Sequence, residues 1–545
     1  MEVLYRDEGV ASAASSVAGR LVSGGVPARL AAGDPALWGE DAGGRAVLTP
    51  FRAPRELLGR LAELAEQARS AGLTNVVLAA AGGTALAAEV ICDTADVPLT
   101  VLDTTDPGQV RRALAEPLES TVLVVAGPAT EGAAEGVTES ATRRFGESAV
   151  EGAVEVDACL RVYERAFEAA GLSPAAHIVV VTGPGTPVER RAVAGGYPTL
   201  PGDGGAVLPA AALAASALAG ADVARLVDDA EEVLPLLSRD SGNPGLDLGA
   251  ALGGAALAGR DKLLLEDQLT AIAGLPDWIE WLVAGYTGKR GRGILPVVGA
   301  DPNRTSDELV VAIESDVGDV RVDGPLGAQF AVWEYAAAVA ALLLEVDPAD
   351  RPDPVGAARD LAARPGPPPG KPAFTDGPVE VYGPTTAKDL PGLFADLLHA
   401  IPADGYLAVT AYLDRLAAFD APVPDGADFE QMTDAWMMAD PATLRALLAI
   451  RTDRPVTFGW GPRFLHTAGH YQGRGPANGV FLQVTGGVAD DVEVPGRPYT
   501  LGRLQLAQAL GHLEALAARG RPAVRVHLTD RAAGVARLLA AAPEV

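Results

Sequence analysis

Leu57, Leu58, Leu61, Leu64 and Ala68 recur at three- and four-residue spacing and predict a helix with one buried face. The stretch over 75–80, NVVLAA, is apolar throughout and of strand length. The alternation continues through a Gly82-Gly83 turn, a helix to Cys92, a strand over 98–102 and a helix after Asp106-Pro107. A strand over 121–125, a long helix ending near Gly171 and a strand over 177–182 complete this series. Strands that are apolar on both faces and separated by helices predict a parallel sheet covered on both sides. Before this series, 1–53 has weak periodicity and reads as an N-terminal arm with one short helix over 11–21.

Ala-rich helices over 207–237 lead into 240–249, a polar, Gly-containing connection taken as the domain boundary. A second series follows. It predicts strands over 262–265, 294–298 and 309–313, then a strongly apolar helix over 327–346. The segment RPGPPPGK, 364–371, cannot be helical and reads as an extended connector. Beyond it come helices over 389–401, 427–450 and 501–519, and strands over 406–410, 456–460, 480–484 and 524–528. The expected fold is α/β: two doubly wound parallel-sheet domains of flavodoxin-like type in tandem, over 54–240 and 250–530, the second with an elaborated C-terminal part.

Composition narrows the function classes. With 545 residues, 48% of them hydrophobic, the chain is long enough for several full cores. A net charge of -28 argues against a nucleic-acid surface, which needs a basic stripe, so an anionic substrate requires a local positive pocket. Cys92 and Cys159 are the only cysteines, too few for a disulfide framework or a zinc site, and fit a reduced cytosol. No uninterrupted 18-residue apolar segment is present, so the chain is expected to be soluble, cytoplasmic and without a membrane partner.

Four stretches carry candidate chemistry. In 276–298, PDWIEWLVAGYTGKRGRGILPVV, a helix runs into a turn where Gly288, Gly291 and Gly293 accompany Lys289, Arg290 and Arg292. That turn reads as a basic, glycine-lined ligand site or as a tight solvated connection. The Gly82-Gly83 turn could cradle a phosphate at a helix N-terminus, or simply join strand to helix. Asp103-Thr-Thr-Asp-Pro107 reads as a helix N-cap with Pro in the first turn. Arg463 and His466 stand among glycines in a loop after a strand, GWGPRFLHTAG, where functional residues concentrate.

GGTALAAEVI from Gly82, VLDTTDPGQVR from Val101, TGKRGRGILPVV from Thr287, LGAQFAVWEYA from Leu326, DPADRPD from Asp347 and GPRFLHTAGH from Gly461 occur in order along the chain. Together they resemble glucose-6-phosphate isomerase in its long bacterial form with two sugar-isomerase domains, over roughly 50–530. The resemblance implies interconversion of glucose 6-phosphate and fructose 6-phosphate through an enediol, with no metal or redox cofactor. It also implies a homodimer with the active-site region near its interface. Such chemistry requires a carboxylate base, a cation for the enediolate and hydroxyl or backbone donors for the phosphate.

Against that pattern the chemical positions are changed. The expected glutamate falls on Gly285 and a Gln one turn earlier falls on Trp281. The phosphate loop corresponds to 126–132, AGPATEG, which lacks the serines and lysine and carries Glu131. The expected arginine falls on Ala206. The segment 136–156 is extra relative to the family and could extend a helix or form a flap. The catalytic candidates are His466 and Lys289; candidate substrate contacts are Gly82, Gly83, Thr84, Gln329 and Arg463. The expectation is a family member with little or no isomerase activity and a structural or regulatory role, for instance in association with a paralogue or another sugar-phosphate enzyme. The alternatives are an active aldose-ketose isomerase using His466, with Lys289 and Arg463 holding an anionic sugar, and a sensor that binds sugar phosphate weakly.

Overall fold

The structure, a computed structural model, describes residues 1–38, 52–127, 148–202, 208–266, 270–299, 305–348, 370–417, 437 and 439–545. Its strands are β1 (Glu2–Tyr5), β2 (Asn75–Ala79), β3 (Thr100–Leu102), β4 (Thr121–Ala126), β5 (Ile178–Thr182), β6 (Thr199–Pro201), β7 (Lys262–Glu266) and β8 (Leu295–Val298). They continue with β9 (Glu308–Ile313), β10 (Val320–Asp323), β11 (Phe374–Asp376), β12 (Val379–Tyr382), β13 (Tyr406–Tyr412), β14 (Val456–Trp460), β15 (Gly479–Gly486) and β16 (Ala523–Leu528).

These strands build three sheets. The first, in the order β3-β2-β4-β5-β6, is parallel throughout and is the doubly wound arrangement expected from the alternating pattern. Its order reverses between β2 and β4, and the crevice beyond the carboxyl ends there is where such sheets bind ligands. The stretch over 250–530, read from sequence as one elaborated domain, contributes to two sheets. One has the order β1-β10-β9-β7-β8 and the other β11-β12-β16-β15-β13-β14. Each keeps four parallel strands in the same relative order as the first sheet and adds antiparallel strands at one edge. Local periodicity marks a strand but not the sheet it joins, since pairing is a long-range choice.

The N-terminal arm is built into the second sheet. β1 pairs antiparallel with β10, and the helix Glu8–Ser23, capped by the Asp7 carboxylate accepting from the Val10 amide, buries Val10, Ala14 and Val17. The connection expected over 240–249 is in large part the start of a helix, Pro244–Leu257. Asn243 caps it by accepting from the Leu246 amide, with Pro244 in the first turn.

Its glycines are packing residues. A β-carbon at Gly245 would lie 2.6 Å from the Tyr335 ring, one at Gly249 2.5 Å from Val339, and one at Gly253 2.5 Å from Leu343. Three glycines spaced four apart thus receive three side chains spaced four apart on the helix Leu326–Leu343, so the two backbones approach closely. That second helix is the one described helix long and apolar enough to cross a membrane, and 89% of its apolar window is buried inside the protein. It is apolar on every side because it is surrounded by other helices.

Candidate functional site

The carboxyl ends of the first and third sheets meet, with the helix Leu275–Thr287 beside them. From the first sheet, β2 leads through Gly82 into the helix Gly83–Thr94. Gly82 has φ +58, a conformation that L side chains rarely adopt. A β-carbon on Gly82 would come 3.3 Å from the His466 β-carbon and 3.5 Å from Trp281 Nε1. One on Gly83 would lie 2.5 Å from the six-membered ring of Trp281. The Trp281 indole therefore lies flat on the turn that was the candidate phosphate cradle. Asp103 follows β3, and Asp106 caps the helix Pro107–Leu114 by accepting from the Gly108 amide at 2.8 Å, as the sequence predicted.

From the third sheet, Asp414 and Arg415 follow β13, and Arg463 to His466 form a short helical turn after β14. Arg463 and Arg415 each bond one oxygen of Glu89. Arg463 Nε also stands 2.5 Å from Asp103, and Arg415 Nε 3.8 Å from the other oxygen of that carboxylate. Two guanidinium groups and two carboxylates thus form a closed, charge-neutral quartet. Burial works against the charge on Glu89, yet Arg463 and Arg415 hold its carboxyl below the usual range. Burial likewise opposes the charge on Arg463, but Asp103 and Glu89 raise its pKa above the ordinary value.

More polar contacts surround the quartet. His466 Nε2 lies 3.4 Å from Glu155, whose other oxygen accepts from Gln508 at 2.5 Å, while Thr105 donates to Gln508 at 2.8 Å. Arg112 pairs with Asp414 at 2.7 Å and Arg531 with Asp106 at 2.8 Å. Glu280, buried on the helix Leu275–Thr287, is pushed up to about 8 by burial and then by Asp277, against an opposing hydrogen bond from Thr467 and the charge of Arg463. At neutral pH it is mostly a neutral acid.

No family model matches the chain, and no curated protein matches it in sequence. Among solved structures, a glucose-6-phosphate isomerase from Chlamydia trachomatis is similar over 63% of this chain and 84% of its own, with TM-score 0.48 and 13% identity. A hypothetical protein from Thermus thermophilus is similar over 98% of this chain and 91% of its own, with TM-score 0.41 and 16% identity. Likenesses of this strength carry no functional argument, which rests instead on the side chains.

Of the residues singled out from sequence, Gly82, Gly83, Arg463 and His466 come together here, and Thr84 opens the helix beside them. Gly285 stands one turn from Trp281, and a β-carbon there would meet only His470 Cδ2, at 4.0 Å. Lys289 and Gln329 have their bonds elsewhere. Lys289 is 1% exposed and donates to the Pro348 carbonyl at 2.6 Å. Arg292 donates to the Leu344 carbonyl at 2.7 Å, so both side chains tie down the segment after the helix Leu326–Leu343. The basic turn is therefore neither an open cation site nor a merely solvated connection. Gln329 is fully buried, donating to Gly324 at 3.4 Å and accepting from Trp333 at 3.1 Å. Ala206, residues 128–132 of the expected phosphate loop and most of 136–156 lie outside the described residues. Sequence reading missed Glu280, Glu89 and Arg415. A single acid or arginine on a helix or loop is ordinary, and only convergence across the fold distinguishes these.

Proposed function

We propose that this protein is a sugar-isomerase-type scaffold without ordinary glucose-6-phosphate isomerase activity, serving a structural or regulatory role, for instance with a paralogue or another sugar-phosphate enzyme. The single observation that carries the reading is the pair Trp281 and Gly285. The indole covers the Gly82-Gly83 turn, and one helical turn away there is no carboxylate to move a proton between sugar carbons. The electrostatics agree. Arg463 and Arg415 are already paired with Glu89 and Asp103, so a phosphate dianion would have to displace carboxylates from a largely buried quartet.

Occlusion of the turn opposes binding and the absence of a base opposes proton transfer, and the effects of groups that act as a unit do not simply add. The test is a coupled assay on the purified full chain with glucose 6-phosphate and fructose 6-phosphate, run in both directions. The expected outcome is no turnover above the uncatalysed rate. Turnover in the usual range of roughly 1 to 10³ s⁻¹ overturns the proposal.

A further inference from the structure

The first and second sheets share one hydrophobic cluster, in which Val76 and Leu78 of β2 join Leu263 of β7 and Val311 of β9. The third sheet packs against a cluster of its own, drawn only from residues 374–545. Its contacts with the rest of the chain differ at its two ends. At the amino ends of the strands they are apolar: Tyr406 of β13 and Phe481 of β15 pack with Leu264 of β7 and with Leu295 and Val297 of β8. At the carboxyl ends they are ionic and complementary. The first-sheet side offers Glu89, Asp103 and Asp106 to Arg415, Arg463 and Arg531 of the third, and Arg112 with Asp414 adds one pair of reverse polarity.

The helix Leu501–Ala518 lies between the two sheets. Leu501 and Leu504 share a cluster with Tyr163 and Phe167 of the helix Ser148–Ala169, so its first half packs with the first sheet. Against the third sheet it is less well satisfied. Gln483 of β15 donates to the Ala509 carbonyl at 3.0 Å and the His512 ring stands 4.9 Å from that of Phe464, yet Gln483 Oε1 and both His512 nitrogens are buried without a hydrogen-bond partner. Such groups penalise the closed arrangement. Units joined by polar rather than large hydrophobic contacts move relative to one another. We propose that the third sheet and its own core rock as a clamp about the apolar contact at the amino ends. The motion parts them from the first sheet and the helix Leu501–Ala518, and opens and closes the crevice beyond the carboxyl ends. The ion pairs are its latch, and because opening brings them into water, salt favours the open form.

The test is hydrogen exchange of the full chain, read by mass spectrometry at about 0.05 M and about 1 M sodium chloride, between which the screening length falls to about 3 Å. Expected is exchange at least about threefold faster at high salt over 103–112, 412–417 and 461–467, with 262–266 and 479–482 unchanged. Arg531→Met should show the faster exchange already at low salt. The β-positions of Gly108 and Asp414 are 3.8 Å apart, the usual separation across a disulfide, and the native Cys92 and Cys159 are buried. Gly108→Cys combined with Asp414→Cys should therefore lock the clamp, so that salt has no effect on the oxidised double variant and reduction restores the response. Exchange at the carboxyl-end segments that ignores salt in wild type, salt acceleration of both ends alike, or an oxidised double variant that responds as wild type does overturns the inference. The wild-type salt series decides the matter even where a variant fails to fold.

Discussion

The Trp281 indole lies against Gly83 so closely that a β-carbon at position 83 would come within 2.5 Å of its six-membered ring. A helix from the middle of the chain and the first strand-to-helix turn of the first sheet therefore interlock through one large and one absent side chain. Gly83→Ala should destabilise the protein by about 1 to 3 kcal/mol, as overpacking does. Adding Trp281→Ala should recover part of that loss, because the ring that clashes is gone. Urea denaturation of the two single variants and the double variant measures the coupling; additive losses would show that the two residues do not share the space.

Removing one member of the ion quartet should cost far more than removing a surface pair. Arg463→Met leaves the half-buried Glu89 and the buried Asp103 with only Arg415 between them. Loss of one partner of a buried ionic group typically costs about 3 to 5 kcal/mol. Arg69→Met, which breaks an exposed pair with Glu66, should change stability by less than about 1 kcal/mol. Denaturant midpoints of the two variants provide the comparison.

Glu280 predicts a pH dependence of definite sign. Its folded pKa is raised to about 8 from the ordinary carboxyl value of 4.5, chiefly by burial. Between those values the folded state holds a proton that the unfolded state releases, so this group's contribution is full below about pH 4.5 and is lost as pH rises through 8. Wild type should therefore lose stability relative to Glu280→Gln between pH 5 and 9, with a slope of up to about 1.4 kcal/mol per pH unit. Parallel stability curves for the two proteins would contradict the assignment.

Glycines within helices should divide by what a methyl group meets. Gly249→Ala places a β-carbon 2.5 Å from Val339 and 2.7 Å from the Ala336 carbonyl, and should cost at least about 1 to 3 kcal/mol by forcing the two helices apart. At Gly59, in the helix Arg52–Ser70, a β-carbon meets nothing within 4 Å. Gly59→Ala should stabilise by about 0.5 to 1 kcal/mol through helix propensity alone. Thermal melts of both variants distinguish packing glycines from incidental ones.

Much of the secondary structure was legible because its causes are local. The apolar runs that became β2, β4, β5 and β13 are buried on both faces, and the Asp106-Pro107 pair starts a helix where its side-chain chemistry requires one. Weaker signals failed for physical reasons. β1 is a short edge strand that alternates between exposed and partly buried positions, too faint a pattern to separate from a loop. The glycines of the helix Pro244–Leu257 look like linker glycines until the facing side chains are known.

Residue order along the chain was enough to establish the alternation of strand and helix, the acidic balance, and the spacing of Trp281 and Gly285 one helical turn apart. Tertiary structure alone decided that the strands sort into three sheets and that Trp281 covers the Gly82-Gly83 turn. It also decided that Arg463 pairs with Glu89, 374 residues away in sequence. Local propensity acts over a few residues, whereas the neutralisation of a charge and the filling of a turn depend on which distant segments the folded chain brings into contact.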